Sequence, residues 1–304
     1  MSMDQKGEYT IKMACEIMER TRQAFYRSVV TKEVTKAEVV TEVEKYANEQ
    51  RKGCPTRGCR AMYEHFGHLL PIGRDKVIKI LLDSGYRVRY SKRYGRSTQS
   101  GTRPFDNLLV NKKVDYINQV WQADMAHYLY GNHKFYTVYI TDVYSQEIIG
   151  HGAFSSAHAV NFARVLQMAV VKAKHYTPTL KDLIHHSDGG KQYESEVYRS
   201  LCEKYGLKQS MCMYSYENPY AEKTNDLINN GYLNVWRPKT LKDLRRQQAK
   251  AVRDHNQKSK KNVLGKLPPQ AFRQSLLEQT QSATQYTLEL KPKQPEQVKL
   301  KQLN

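Results

Sequence analysis

The sequence predicts an α/β chain, a mixed sheet flanked by helices, preceded by an all-helical region. Three observations predict it. From Trp121 onward, three β-rich runs follow one another with only a few residues between them: "VWQADMAHYLY", "KFYTVYITDVY" and "QEIIGHGAF". Such short connections allow only antiparallel neighbours. Next, "AVNFARVLQMAVVKAKHY" (159–176) carries Val160, Phe162, Ala163, Leu166, Ala169 and Val170 at helical spacing, "DLIHHSD" reads as a short strand and "SEVYRSLCEKYG" as a second helix. A chain leaving a helix returns most easily to its sheet as a parallel strand. The expected order is therefore three antiparallel strands, helix, strand, helix, short strand, helix. Third, the first 85 residues show helical periodicity instead.

Taken in order, "YTIKMACEIMERTRQAFYRSV" sets Ile11, Ala14, Ile17 and Met18 on one stripe, breaks near Thr21 and resumes with Ala24, Phe25 and Tyr26. Two short helices joined by a tight turn form a helix-turn-helix-like unit, with Arg20, Arg22 and Arg27 around the second. A further helix over 35–50 places Val39, Val40, Val43, Tyr46 and Ala47 together. "GRDKVIKILLDSGYRVRYSKRYGR" then runs from an amphipathic helix into a stretch without acidic residues, interleaved with Tyr90 and Tyr94. There Arg87, Arg89, Lys92, Arg93 and Arg96 are candidates for tracking a phosphate backbone. The expected divisions are a helical DNA-binding region over 1–85, a basic linker over 86–114, the α/β core over 115–238, a basic helical region over 239–285 and a disordered Lys/Gln/Pro-rich tail over 286–304.

Charge points to the partner. Lys and Arg number 49 against 30 Asp and Glu in 304 residues, a formal net charge of +19. An excess that size repels itself in a compact chain and calls for a polyanion. Its spread along the whole chain favours nucleic acid over a membrane surface, which an amphipathic basic helix would bind. No run approaches the apolar length of a membrane span, and "MSMDQKGEYT" does not read as a signal peptide. Five cysteines without a secretory signal fit reduced thiols in a cytoplasmic setting. Cys54, Cys59, His65 and His68 offer four zinc-type ligands, but their spacing leaves little chain to close a tetrahedral site. They read as half-buried cysteines and helix-surface histidines.

Acidic residues carry the chemistry. In "LIHHSDGGKQYES" the expected strand ends on Asp188 just before two glycines. Alone, Asp-Gly is turn chemistry. If the first and fourth strands are neighbours, however, Asp124 and Asp188 face one site. Two adjacent carboxylates are costly unless cations lie between them, and Mg²⁺ takes oxygen ligands while leaving room for phosphate and water. In "SYENPYAEKTNDLINNGYL", Asn218 suits an N-cap and Pro219 the first helical position, which puts Glu222 in the first turn. An Asp, Asp, Glu set of this kind would hold two metal ions across a phosphodiester. Asp142 in "ITDVYS" reads as a turn-former at the far end of its strand, and Asp226 as an exposed helix residue.

Together "VWQADMAHY", "YTVYITDVYSQEIIGHGAF", "LIHHSDGGKQYESEVYRSLCEKYGLKQSM", "NPYAEKTN" and "HNQKSKKNVLGKLPPQAF" resemble the IS3-family insertion-sequence transposases, relatives of retroviral integrases. Upstream, residues 35–98 resemble that family's helical DNA-binding segment. The resemblance implies an RNase H-like core with Asp124, Asp188 and Glu222 as catalytic metal ligands. It implies Mg²⁺-dependent cleavage at inverted-repeat ends, with Mn²⁺ as substitute, and joining of 3′-hydroxyl ends without a covalent protein–DNA intermediate. It further implies double-stranded DNA as partner, a homo-oligomer on DNA and a setting in the bacterial cytoplasm at the nucleoid. Family members often come as two reading frames. No leucine zipper appears here, so the chain resembles the second frame's product, with the first as a possible partner.

Three departures accompany the resemblance. The 33 residues between Asp188 and Glu222 are two fewer than usual. Asn229 stands seven residues after Glu222, where the family commonly has a Lys on the same helix face; Lys191 and Lys223 are the nearest replacements. Ser259, Lys260 and Lys261 stand where the family tends to have Arg-Pro-His. Two rival readings are an inactive or domesticated DNA-binding descendant acting as a regulator, and an RNase H-like nuclease that cuts without joining.

Overall fold

The structure is a computed structural model that describes residues 11–88, 104–177, 179–278 and 286–290. It divides into two compact units, one of Met1–Lys52 and Arg57–Val88, the other of Gly53–Thr56 and Arg89–Asn304.

The first unit is helical. Helix α1 spans Ile11–Ile17, α2 Arg22–Gly53, α3 Cys59–Phe66 and α4 Arg74–Asp83. The expected break near Thr21 is present, and the Thr21 hydroxyl accepts from the Ala24 amide at 3.1 Å. Beyond it the structure corrects the sequence reading. The second short helix and the helix expected over 35–50 are one 32-residue helix, because no Gly or Pro interrupts the chain before Gly53. Val43 and Ala47 of α2, Met62 and Phe66 of α3, and Val77 and Leu81 of α4 form its core. Tyr86 fastens the far end, donating to Asn48 Oδ1 at 2.6 Å and accepting at its carbonyl from Arg51 at 2.7 Å. Cys59 Sγ also points to that carbonyl, and His65 Nε2 lies 2.6 Å from Arg57.

The second unit holds a five-stranded sheet. After β1 (Lys112–Val114) come β2 (Val120–Tyr130), β3 (His133–Asp142), β4 (Ile148–Phe154), α5 (Ala159–Lys174), β5 (Ile184–Ser187), α6 (Lys191–Glu194), α7 (Glu196–Tyr205) and β6 (Lys208–Met211). Spatial order is β4-β3-β2-β5-β6, antiparallel through the first three strands and parallel through the last three. This is the mixed sheet expected from the sequence. Trp121, Ala123 and Met125 point to one face, where Phe162, Leu166, Ala169 and Val170 of α5 and Tyr198 and Cys202 of α7 close the largest core. Helix α5 passes so near β4 that a Cβ at Gly150 would lie 2.8 Å from the Val165 carbonyl. Only glycine fits there.

The opposite face is covered by α8 (Pro219–Asn225), a π-helical segment (Asp226–Leu233), α9 (Asn234–Trp236) and α10 (Leu241–Lys258). Ile228, Tyr232, Leu233, Leu244, Ala251 and Val252 pack there on Tyr128, Tyr139 and Ile148. Strand β4 is an edge of the sheet, and α10 bonds its backbone with side chains. Arg245 donates to the Ala153 carbonyl (2.9 Å) and Gln248 to that of Gly152 (3.0 Å). Asn256 both donates to the Ile148 carbonyl (2.9 Å) and accepts from its amide (3.0 Å), as a neighbouring strand would. Asn256→Ala is therefore expected to cost about 2–4 kcal/mol, since two buried backbone groups lose their partner. A urea midpoint within error of wild type would refute that role.

Helix α11 (Pro269–Leu277) completes the unit, and β7 (Leu288–Leu290) pairs antiparallel with β1. The sequence places β1 in the linker and β7 in the disordered tail. Both are ordered, because each supplies the other's ladder and Val114 and Leu288 share an apolar cluster. Residues 291–304 lie outside the described residues. Among the described residues no helix is long and apolar enough to cross a membrane.

Candidate active site

Parallel pairing of β2 with β5 sets Ala123 beside Ser187. The next residues, Asp124 within β2 and Asp188 just past the end of β5, therefore stand on neighbouring strands at one level, with Asp124 facing away from the α5 core. Helix α8 crosses that face, carrying Glu222 in its first turn.

Its seat is polar. Asn218 stands at the N-cap of α8 with Pro219 next, as the sequence suggests, but its side chain makes no capping bond; its amide reaches across to donate to the Ala123 carbonyl at 2.9 Å. Gln122 Oε1 accepts from the Tyr220 amide at 2.8 Å, Thr224 bonds Thr141 at 2.9 Å, and Asn225 Nδ2 donates to Asp124 Oδ2 at 2.7 Å. Buried side-chain bonds of this kind fix both rotation and translation of the helix, and hence the position of Glu222. Sequence reasoning singles out Asn218 only as a cap and misses Gln122, Thr224 and Asn225. Their signal is the helical spacing of Asn218, Thr224, Asn225, Ile228 and Tyr232, an inward face richer in amides and hydroxyls than an ordinary core stripe.

Electrostatics join the three carboxylates. Asp124 is pushed up to about 8, first by burial, then by the charge of Asp188, with Glu222 adding to it. The Met125 amide and Asn225 oppose the rise. Asp188 is half-buried and Glu222 exposed. An all-carboxylate oxygen set whose negative charge is costly to hold is chemistry that suits a hard divalent cation. Among the described residues, no three His, Cys, Asp or Glu side chains stand together at metal-binding distance. Asn225 instead holds one Asp124 oxygen.

His185 and His186, just before Asp188, are committed elsewhere. His185 Nε2 lies 2.6 Å from the Tyr198 hydroxyl and His186 Nδ1 2.8 Å from Ser210 Oγ, and burial pushes them down to about 3 and about 4. Asp142 forms the turn after β3, accepting from the Asn118 amide (2.9 Å) and from the Ser145 amide (2.8 Å) and hydroxyl (2.6 Å).

The Asp124 shift gives a pH signature. A carboxyl raised from an unfolded value of about 3.9 favours the folded state while protonated. That contribution is full below pH ~4 and is lost as pH rises through about 8. In chelator, the stability of wild type relative to Asp124→Asn is expected to fall steadily over that interval. Parallel melting curves for the two proteins from pH 5 to 8.5 would contradict it.

Asn229 corrects another expectation. Two turns of α-helix would place it on the face of Glu222, but the segment from Asp226 is π-helical, with wider turns. Seven residues then fall roughly a quarter-turn off that face. Asn229 is buried, accepting from the Tyr139 hydroxyl at 3.1 Å and from Thr137 at 3.4 Å. The outer face continues through Asp226, Asn230 and Asn234, linked by side-chain bonds of 2.5 and 2.7 Å. Of the other candidate contacts, Lys223 adjoins Glu222, Lys191 opens α6 three residues after Asp188, and both are exposed; Arg87 is exposed on the helical unit. Arg89, Lys92, Arg93 and Arg96 lie outside the described residues.

Residues 116–214 match the family described as integrase core domain. The chain is 27% identical over 213 residues to an uncharacterized 31 kDa protein of insertion element IS600 from Shigella sonnei, covering 67% of this chain and 75% of that protein. It is 32% identical over 151 residues to the transposase of IS904 from Lactococcus lactis, covering 49% and 56%. A putative transposase of IS986/IS6110 from Mycobacterium tuberculosis is 26% identical over 156 residues, covering 50% and 56%. The chain thus spans little more than half the length of the latter two. Among solved structures, the HTLV-2 integrase catalytic core domain in complex with magnesium aligns at 23% identity and a TM-score of 0.39, covering 54% of this chain and 97% of that one. The sheet unit is an RNase H-like mixed sheet flanked by helices and preceded by an all-helical region, similar over residues 116–214 to the integrase core domain and, more widely, to proteins of diverse insertion elements.

Proposed function

We propose that the chain is a DDE-type DNA transposase, of the IS3 kind, that cuts at the inverted-repeat ends of its element and joins the freed 3′-hydroxyl ends to new DNA. The observation that carries this reading is the shared field of Asp124, Asp188 and Glu222 on one face of the sheet. In it, those three carboxylates would hold Mg²⁺, or Mn²⁺ in its place, as two ions. Bound there, the metal supplies activation of a water or 3′-hydroxyl and stabilisation of the leaving oxygen.

The protein's own groups position and orient. Asn225 holds the Asp124 carboxylate by one oxygen, leaving the other to the Met125 amide and the site. Gln122, Asn218 and Thr224 hold α8, so that Glu222 is presented from a fixed helix. Lys191 and Lys223 flank the carboxylates and attract the phosphodiester, while Arg87, Arg89, Lys92, Arg93 and Arg96 track the flanking duplex. The partners are double-stranded DNA, further copies of the chain assembled on it and a first-frame protein; the setting is the bacterial nucleoid.

The test is strand cleavage and joining on a labelled duplex carrying the element's terminal repeat, in Mg²⁺ and in Mn²⁺. Metal-dependent nicking with joined products supports the transposase. Nicks without joining, with the first-frame protein present, identify a nuclease. Binding without chemistry in either metal identifies a DNA-binding descendant.

A further inference from the structure

Asn225 fixes the carboxylate of Asp124, and the bonded helix α8 fixes the backbone of Glu222. Asp188 is placed differently. It lies just past the end of β5 and is followed by Gly189 and Gly190, which give the chain little stiffness of its own there. On the α5 side of the sheet, Tyr193 of α6 is buried in the largest core. Its position is tightly set. Its amide donates to the Gly190 carbonyl (3.0 Å), and its carbonyl accepts from Gln209 Nε2 of β6 (3.0 Å). Its ring meets Phe162 and Tyr198 edge-on, at centroid distances of 5.4 and 5.2 Å, and Tyr198 is itself held by His185. That ring borders Asp188. A Cβ at Gly190 would lie 3.1 Å from Asp188 Oδ1 and 3.5 Å from Tyr193 Cδ2, so carboxylate and ring face one gap that a methyl group would fill.

The Tyr193 hydroxyl is buried, yet among the described residues no protein group bonds it. The neighbouring Tyr198 shows the ordinary arrangement, its hydroxyl 2.6 Å from His185 Nε2. A buried hydroxyl without a partner costs free energy and calls for a reason. Burial first, then the charge of Asp188, with Tyr198, Asp124 and Cys212 adding, hold the phenol well above its ordinary value. It therefore stays protonated, and remains a donor, wherever the carboxylates are charged.

We propose that Tyr193 is a positioning residue for Asp188, its hydroxyl donating to that carboxylate when it turns, fully charged, to take a divalent cation. The proposal rests on the reading of Asp188 as a metal ligand. A neutral donor stabilises the charged carboxylate without competing for the cation, and it fixes which oxygen is left to the site. In the metal-free protein the same hydroxyl adds nothing to stability, which sets it apart from a structural bond.

The experiment uses the full chain and measures two quantities, the melting temperature in chelator and the affinity for Mn²⁺, the latter by paramagnetic resonance of the free ion. Tyr193→Phe is expected to melt in chelator at or above the wild-type temperature, since an unpaired hydroxyl is lost, and to bind Mn²⁺ about tenfold more weakly. Tyr198→Phe is the contrast. It should melt lower, because His185 loses its bond, yet bind Mn²⁺ as wild type does. Wild-type Mn²⁺ affinity in Tyr193→Phe, equal weakening in both variants, or a Tyr193→Phe protein that melts well below wild type in chelator would each overturn the positioning role and leave the transposase reading standing. A wild-type chain that binds no Mn²⁺ would overturn the metal-ligand reading, and the positioning role with it.

Discussion

Asp188→Asn is expected to abolish metal-dependent strand cleavage, by at least about 10³-fold or on the order of 4 kcal/mol of barrier, while duplex affinity stays equal or rises slightly. The two effects separate because Asp188, just past the end of β5, is an acidic group that repels phosphate and so contributes nothing to holding DNA. Removing its charge should also relieve Asp124, so the pH-dependent stability of the variant should flatten. Single-turnover cleavage in Mg²⁺ beside a binding titration checks both parts. Cleavage within tenfold of wild type would remove Asp188 from the site, whatever the protein's other activities.

The second large effect concerns stability. Glu147, in the turn between β3 and β4, is buried and meets both Arg273 of α11 and Lys172 of α5, the latter at 2.7 Å. The Arg273 guanidinium also lies 4.0 Å over the ring of Tyr176. Arg273→Met is expected to cost about 3–5 kcal/mol, because the buried carboxylate loses its main partner. Adding Glu147→Gln to that variant should recover part of the loss, since the orphaned charge is gone. Denaturant midpoints of the two single variants and the double variant check this. A loss under about 1 kcal/mol for Arg273→Met would mean that Lys172 and water suffice.

What was legible in the sequence follows a physical divide. Strands β2, β3 and β4 and helices α5 and α7 could be read because burial on one face imprints a period on the residues. The neighbouring positions of Asp124 and Asp188 followed from a topological rule, the parallel return of β5, rather than from either aspartate's surroundings. In α2 two local stripes suggest two helices, whereas the absence of Gly and Pro allows one. Pairing of β1 with β7 joins segments about 175 residues apart and leaves no local mark. Nor does the π-helical segment, whose extra width depends on how Ile228, Tyr232 and Leu233 meet the sheet. Asn225 carries no local mark of its role; only the tertiary register gives it Asp124 as partner.

The way α10 lies along β4 sets limits on how copies of the chain can meet. A bare outer strand invites the same strand of another molecule to add alongside it, the route by which sheet proteins swap segments and form fibres. Here the amides of Asn256 and Gln248 and the guanidinium of Arg245 occupy that border from within the same molecule. A second molecule could add its own strand along β4 only by first displacing these side chains.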